Sequence, residues 1–398
     1  MSGDLLFTPT TLGALELPGR IVRSATYEGM AAADGTPQPQ LGRLYERLAA
    51  GGAAMITTGF AFVQAAGRAM QPHQAGIHDD GLIAPWKAVI DRARQGNAET
   101  RIVLQIAHAG RQTLKRGTGR PVRGAGKRKC AYFRQRVRPM TGKDVHATAG
   151  AFGDAARRAR EAGFDAVQLH GAHGYLLHQF LSPWTNDRND EWADGVRFVQ
   201  LVVDAVRHAC GNGFPVLLKL SWADDNTPGI RLADTVSTIN ALHGVDAVEI
   251  SYGTMEWALN IIRGDCPVDV ALRVNPIFNR MPRPLLALWR RFGLPVFLHT
   301  LKPFAEDYNL DAALAVKQQT DTPVYPVGGF RTADSLRRCV GEHGFPAVAL
   351  CRPLIREPDW PRRIREDHDR RSGCINCNLC TVHVDSDKPL QCHSSKGT

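Results

Sequence analysis

Apolar positions along the chain fall into two alternating patterns. Short runs rich in β-branched and aliphatic residues end in small or polar residues, and segments of helical period follow them. Eight such runs are predicted as strands: Arg20 to Thr26, Ala53 to Phe60, Arg101 to His108, Ala166 to Ala172, Pro215 to Ser221, Ala247 to Gly253, Pro323 to Gly329 and Ala347 to Pro353. Amphipathic stretches between them, such as Pro39 to Ala50, Ala151 to Ala162, Gly195 to Cys210 and Leu310 to Gln319, are predicted as helices. Near-continuous apolar strands alternating with helices indicate a parallel sheet covered on its outer face. Eight repeats of that unit predict an α/β protein of the (β/α)8 TIM barrel class.

Two long insertions follow predicted strand ends, at about 112 to 145 and about 254 to 303. In a barrel both would stand on the face that carries active sites. Thr26, Thr58, His108, His170, Ser221, Ser251, Gly328, Gly329 and Arg352 all lie at or just past a strand end, so polar groups should converge on one mouth. The predicted organisation is a barrel over residues 1–365 and a short Cys-containing extension over 366–398.

Composition narrows the class. The chain has 398 residues, and no apolar run approaches the roughly 20 residues of a membrane helix. The opening MSGDLLFTP lacks the basic and apolar regions of a signal peptide, so a cytoplasmic location is expected. The net charge of +10 is largely local, because Lys115 to Arg138 holds ten Lys or Arg and no acid. Such a stretch is most simply a solvated loop. A basic rim steering an anionic substrate and a polyanion site are the alternatives, nucleic acid being the less expected partner.

Candidate chemistry gathers in three places. VGGF at 327 to 330 and LCRP at 350 to 353 follow the seventh and eighth strands, where barrels commonly hold a phosphate through backbone N–H groups and an Arg. HGAHGY at 170 to 175 lacks carboxylates at ligand spacing, so a metal site there is disfavoured. His170 and His173 can share one oxygen as donors, with Tyr175 able to give a proton, whereas His178 reads as a packed core histidine. Third, Cys374, Cys377, Cys380 and Cys392 form C-x2-C-x2-C-x11-C, which reads as a [4Fe–4S] cluster, a zinc site or free thiols.

The segment HGAHGYLLHQFLSPWTNDRNDEW closely resembles the corresponding motif of the Old Yellow Enzyme family of FMN-dependent ene reductases and NADH:flavin oxidoreductases. LPGRIVRSATYEGMAAADG, ITTGF, LQIAHAGRQ, VLLKLS, DAVEIS, VGGFRT and LCRPLIREPDW match the family in order over almost the whole chain. The resemblance implies an FMN-binding barrel that takes hydride from NADH or NADPH and reduces the C=C bond of an α,β-unsaturated carbonyl or acyl compound. It implies that His170 and His173 bind the substrate oxygen and that Tyr175 is the proton donor. Ala25, Thr26, Gly59, Gln105 and Lys219 would face the flavin ring, and Gly328, Gly329, Cys351 and Arg352 its phosphate. The cysteine group resembles the cluster motif of the dienoyl-CoA reductase and trimethylamine dehydrogenase branch. That likeness leaves room for an oxidative dehydrogenase passing electrons to a redox partner protein.

Overall fold

The structure is a computed structural model that describes residues 4–275 and 282–394. Eight parallel strands form its centre: β1 (Ile21–Arg23), β2 (Met55–Thr57), β3 (Arg101–Ala107), β4 (Ala166–Gly171), β5 (Val216–Ser221), β6 (Ala247–Ser251), β7 (Val324–Pro326) and β8 (Val348–Leu350). Each pairs with its sequence neighbour, β8 returns to pair with β1, and a parallel bridge from Val327 to Ala349 closes the ring between β7 and β8. The expected eight-stranded barrel is therefore present.

Both faces of the strands are buried, as a helix-covered parallel sheet requires. On β3, Ile102, Leu104 and Ile106 pack outward with the helices, while Val103 points into the barrel with Val22, Met55, Leu217 and Ala247. The outer layer contains α1 (Pro39–Ala50), α2 (Ile83–Arg94), α3 (Gly142–Ala162), α4 (Gly195–Cys210), α5 (Leu232–Ala241), α6 (Leu310–Lys317), α7 (Ala333–Arg337) and α8 (Trp360–Glu366). Helix α3 starts nine residues earlier than its apolar period suggests. A capping box accounts for this: Thr141 Oγ1 accepts from Asp144 N at 3.2 Å, and Asp144 Oδ2 accepts from Thr141 N at 2.8 Å.

A hairpin that hydropathy did not reveal seals the lower end. Thr10–Leu12 pairs antiparallel with Leu15–Leu17 around Gly13, whose φ of 59° suits glycine. Leu12, Leu15 and Leu17 join the interior cluster and plug the barrel floor.

The predicted extension is packed onto the barrel. Its helix Leu379–Val384 and the following turn place Val384 and Leu390 in the main apolar core. The insertion after β6 is largely helical, with residues 276–281 outside the described set. Among the described residues no helix is long and apolar enough to cross a membrane.

Phe198 of α4 is fully buried with its ring centroid 4.2 Å from that of Phe180. Phe198→Ala is expected to cost about 3–5 kcal/mol through lost burial and the cavity left behind. Chemical denaturation would read this as a lower midpoint, whereas an unchanged midpoint would mean that this contact contributes little.

Candidate active site

Parallel register brings polar side chains into one layer inside the barrel. Gln105 stands opposite Gln168, Lys219 opposite both His170 and Glu249, and Glu249 opposite Tyr325. Lys219 Nζ donates to Glu249 Oε1 at 2.9 Å and to Ser24 Oγ at 2.7 Å. Gln168 Nε2 donates to Glu249 Oε2 at 2.7 Å, and Gln105 Nε2 to Gln168 Oε1 at 2.7 Å. The Lys219 and Glu249 side chains are 3% and 0% exposed, so each charge needs the other to offset its loss of water.

Above this layer opens a cavity of about 1330 Å³ including its mouth. Ala25, Thr26, Gln105, His170, His173, Tyr175, Lys219, Gly328, Gly329, Cys351 and Arg352 line it together. Residues separated by more than 300 positions in sequence thus meet because barrel strands end at one rim. Gly59 does not line it. Its N–H donates to Glu28 Oε1 at 2.8 Å, an oxygen that also accepts from Tyr45 and Arg23, and Phe60 faces the cavity instead.

The two histidines occupy different backbone settings. His170 is the penultimate residue of β4, and His173 has a left-handed φ of 61° in the turn that follows. This turn carries the second ring back over the barrel, leaving the ring centroids 5.1 Å apart and nearly perpendicular. Burial, then the Lys219 charge, holds His170 well below the usual imidazole range; burial, then His170 and Lys219, does the same for His173. Both are therefore neutral near pH 7, each with one N–H to donate. His170 Nδ1 accepts from Ala172 N at 3.4 Å, which leaves Nε2–H free, and His173 Nε2 lies 2.8 Å from Ser251 Oγ.

Tyr175 packs against His170 with ring centroids 4.8 Å apart and against Phe60 at 5.0 Å. Burial raises its phenol well above the ordinary value, so the proton stays on oxygen until a strong base develops beside it. His178 bonds Asp224 at 3.3 Å away from the cavity, as expected of a core histidine.

The cavity fits FMN at its glycine end. Gly328 and Gly329 have φ of 130° and 91°, and a Cβ at either would stand 2.6 Å from Tyr308 or 2.4 Å from Asp307 N. Among the described residues their N–H groups find no backbone acceptor, which suits an anion cradle. Arg352 stands at the same end of the cavity. Its guanidinium donates to Arg263 O and Asn378 Oδ1 at 2.8 and 2.7 Å and to Ile262 O at 2.5 Å. These acceptors come from the β6 insertion and the extension, so its side chain clamps both to the barrel.

Of the three readings of the cysteines, the described residues show free thiols. Among the described residues no three His, Cys, Asp or Glu side chains form a metal-ligand group, so Cys374, Cys377, Cys380 and Cys392 are not gathered into a site. The reason lies in what fastens the segment. Asn376 and Asn378 adopt left-handed φ of 58° and 57°, and Asn378 holds Arg352 and Asp265 O. Cys374 instead contacts Asn376 Oδ1 at 3.8 Å, and Cys392 accepts from Arg356 at 3.6 Å. The basic segment 115–138 likewise contributes no cavity residue: Arg123 pairs with Asp144, and Arg128 lies 3.6 Å over the Trp184 ring.

Sequence reading missed Glu249, Gln168, Tyr27, Gln71 and Asp385. An acid inside AVEIS, beside a lysine inside VLLKLS, was a usable signal for the first.

Residues 5–268 match the family described as NADH:flavin oxidoreductase / NADH oxidase. A 4,4'-dithiodibutanoate disulfide reductase of Rhodococcus erythropolis is 28% identical over 387 residues, covering 94% of this chain and 92% of that one. An NADH oxidase of Thermoanaerobacter brockii is 26% identical over 94% of this chain and 53% of its own length. A solved 2-naphthoyl-CoA reductase complex aligns with a TM-score of 0.81 at 19% identity, covering 98% of this chain and 56% of that one, a likeness of fold. The chain thus spans about half the length of the last two.

Two outcomes test the site. His170→Ala with His173→Ala should weaken binding of a phenol, read as a long-wavelength band over the oxidised flavin, by roughly 10²-fold or more while FMN stays bound. Normal phenol binding would remove the pair from the oxygen site. Protein purified without oxygen should carry well under one iron or zinc per chain; about four irons would mean that the cysteines gather around a cluster.

Proposed function

The chain belongs to the NADH:flavin oxidoreductase / NADH oxidase family, and from that premise we propose that it reduces the C=C bond of an α,β-unsaturated carbonyl compound with NADH or NADPH. The observation that carries this reading is the meeting of His170, His173 and Tyr175 above Gln105 and Lys219 in one cavity. Bound FMN would supply the hydride chemistry, accepting from the nicotinamide and delivering to the alkene.

The chain's own residues supply position and charge. Two neutral imidazole N–H groups bind the carbonyl oxygen and draw electron density toward it, which makes the β-carbon the electrophile. Tyr175 gives its proton to the α-carbon and regains one from water. Lys219 offers positive charge beside the ring site, moderated by Glu249, and Gln105 has its carbonyl oxygen free to accept. Backbone N–H groups at Gly328 and Gly329 support the reading of a phosphate cradle. The relatives' names describe different acceptors, so acceptor choice would follow the cavity wall. Among the described residues the cysteines gather no ligand set, so no observation supports an outward electron path through them.

Anaerobic rapid mixing separates the two half-reactions. Tyr175→Phe should leave flavin reduction by NAD(P)H within about twofold and slow reoxidation by an activated alkene roughly 10²–10⁴-fold. Equal slowing of both steps would remove the proton-donor role.

A further inference from the structure

The cavity contains one acid that the proposed chemistry does not use. Asp385 follows the extension helix Leu379–Val384 and lines the cavity wall with Tyr27, Gln71 and Val384. Its position is fixed by neighbours on both sides. Asp385 N donates to Thr381 O at 3.2 Å, Leu390 N donates to Glu28 O at 2.8 Å, and Val384 is buried. The loop carrying Tyr27 lies directly beneath, since a Cβ at Gly29 would stand 3.1 Å from both Val384 and Lys388.

The other charges at the cavity are already matched. Lys219 pairs with Glu249, Arg331 with Glu306, and Arg352 is held by carbonyls and Asn378. Asp385 accepts a hydrogen bond from Gln71, and no Lys, Arg or His forms an ion pair with it among the described residues. The phenols that line the cavity with it are Tyr27 and Tyr175: burial first, and then the Asp385 carboxylate, keep both protonated. Tyr27 Oη and Gln71 Oε1 are buried without a hydrogen-bond partner. Aromatic faces complete the wall, with Phe60 6.0 Å from Tyr27 and 5.0 Å from Tyr175 by ring centroid.

A carboxyl without a cation, two unpartnered polar oxygens and a row of aromatic faces together form the complement of an ammonium group. We propose that Asp385 is a specificity-determining residue that pairs with a protonated amine on the substrate, so that the preferred acceptor is an unsaturated carbonyl compound bearing an ammonium group. The inference rests on the ene-reductase reading, which fixes the carbonyl oxygen at His170 and His173. Acceptors with a carboxylate at this end are disfavoured by like charge.

Burial pushes the Asp385 carboxyl up to about 6, against the Gln71 hydrogen bond that lowers it. The acid is neutral below that value and charged above it, whereas an alkylammonium stays charged to roughly pH 9. Affinity for an ammonium ligand should therefore rise with pH through about 6 and then level. The imidazoles of His170 and His173 remain neutral throughout. Arg68 beside Tyr27, the His73–Asp387 pair at 2.7 Å, and His383 and Lys388 on the extension complete the charged surroundings.

The test is an equilibrium titration of the oxidised FMN-loaded protein with tyramine and with 4-propylphenol, which differ at the chain end by ammonium against methyl. Tyramine should bind about tenfold more tightly near pH 8, lose most of that advantage near pH 5, and lose it in Asp385→Asn. Asp385→Glu should retain part of it. Equal affinities in the unaltered protein, or an advantage unchanged in Asp385→Asn, would overturn the proposal. Because the pH dependence is measured on the unaltered protein, the outcome does not depend on a variant that folds poorly. Absence of a flavin band with either phenol would overturn the oxygen-site reading and the proposal with it; bands of equal strength from both would overturn the Asp385 assignment alone.

Discussion

The ion pair of Lys219 and Glu249 at the barrel centre is the constraint from which the site is built. Two charges removed from water cost several kcal/mol each unless they are paired and their remaining hydrogen-bonding sites filled. Parallel register provides the pairing, because β5 and β6 set the two side chains directly opposite. Ser24, Gln168, Gln105 and Tyr325 then become obligatory neighbours, each satisfying an atom that burial would otherwise strand. The polar layer so formed is the floor of the cavity. The histidines stand above it: burial first, with the Lys219 charge behind it, keeps His170 and His173 neutral, and neutral imidazoles are the state that can donate to an oxygen without a competing charge.

The walls come from elsewhere. Arg352 draws the β6 insertion and the C-terminal extension toward the barrel through carbonyls and Asn378. The extension in turn lays Val384, Asp385 and Leu390 over the loop bearing Tyr27 and Glu28. Glu28 also joins Arg23, Tyr45 and the Gly59 backbone.

The barrel was legible because each strand is buried on both faces and so reads as an unbroken apolar run. The floor hairpin was hidden for a different reason: its three-residue strands are not buried on both faces and are too short to show a period. His170, His173 and Tyr175 were legible because they lie within six residues of one another and leave a strand end together. Arg352 was placed correctly at the rim, but its partners are main-chain carbonyls nearly ninety residues away, which leave no trace in composition. The cysteine spacing left a cluster, zinc and free thiols open, because spacing does not specify the left-handed turns at Asn376 and Asn378 that direct the chain between the thiols. Asp385 was unreadable for a related reason: its neighbours at Tyr27 and Gln71 lie at the other end of the sequence, and only the folded extension brings them together.

The most direct test of the central claim is a visible-light titration of the protein, freed of bound flavin and then mixed with FMN, followed by anaerobic addition of NADH or NADPH. The account predicts saturation at about one FMN per chain, bleaching by the nicotinamide, and recovery of the oxidised spectrum when an activated alkene is added. Failure to bind FMN, or a bound flavin that the alkene does not reoxidise, would contradict it.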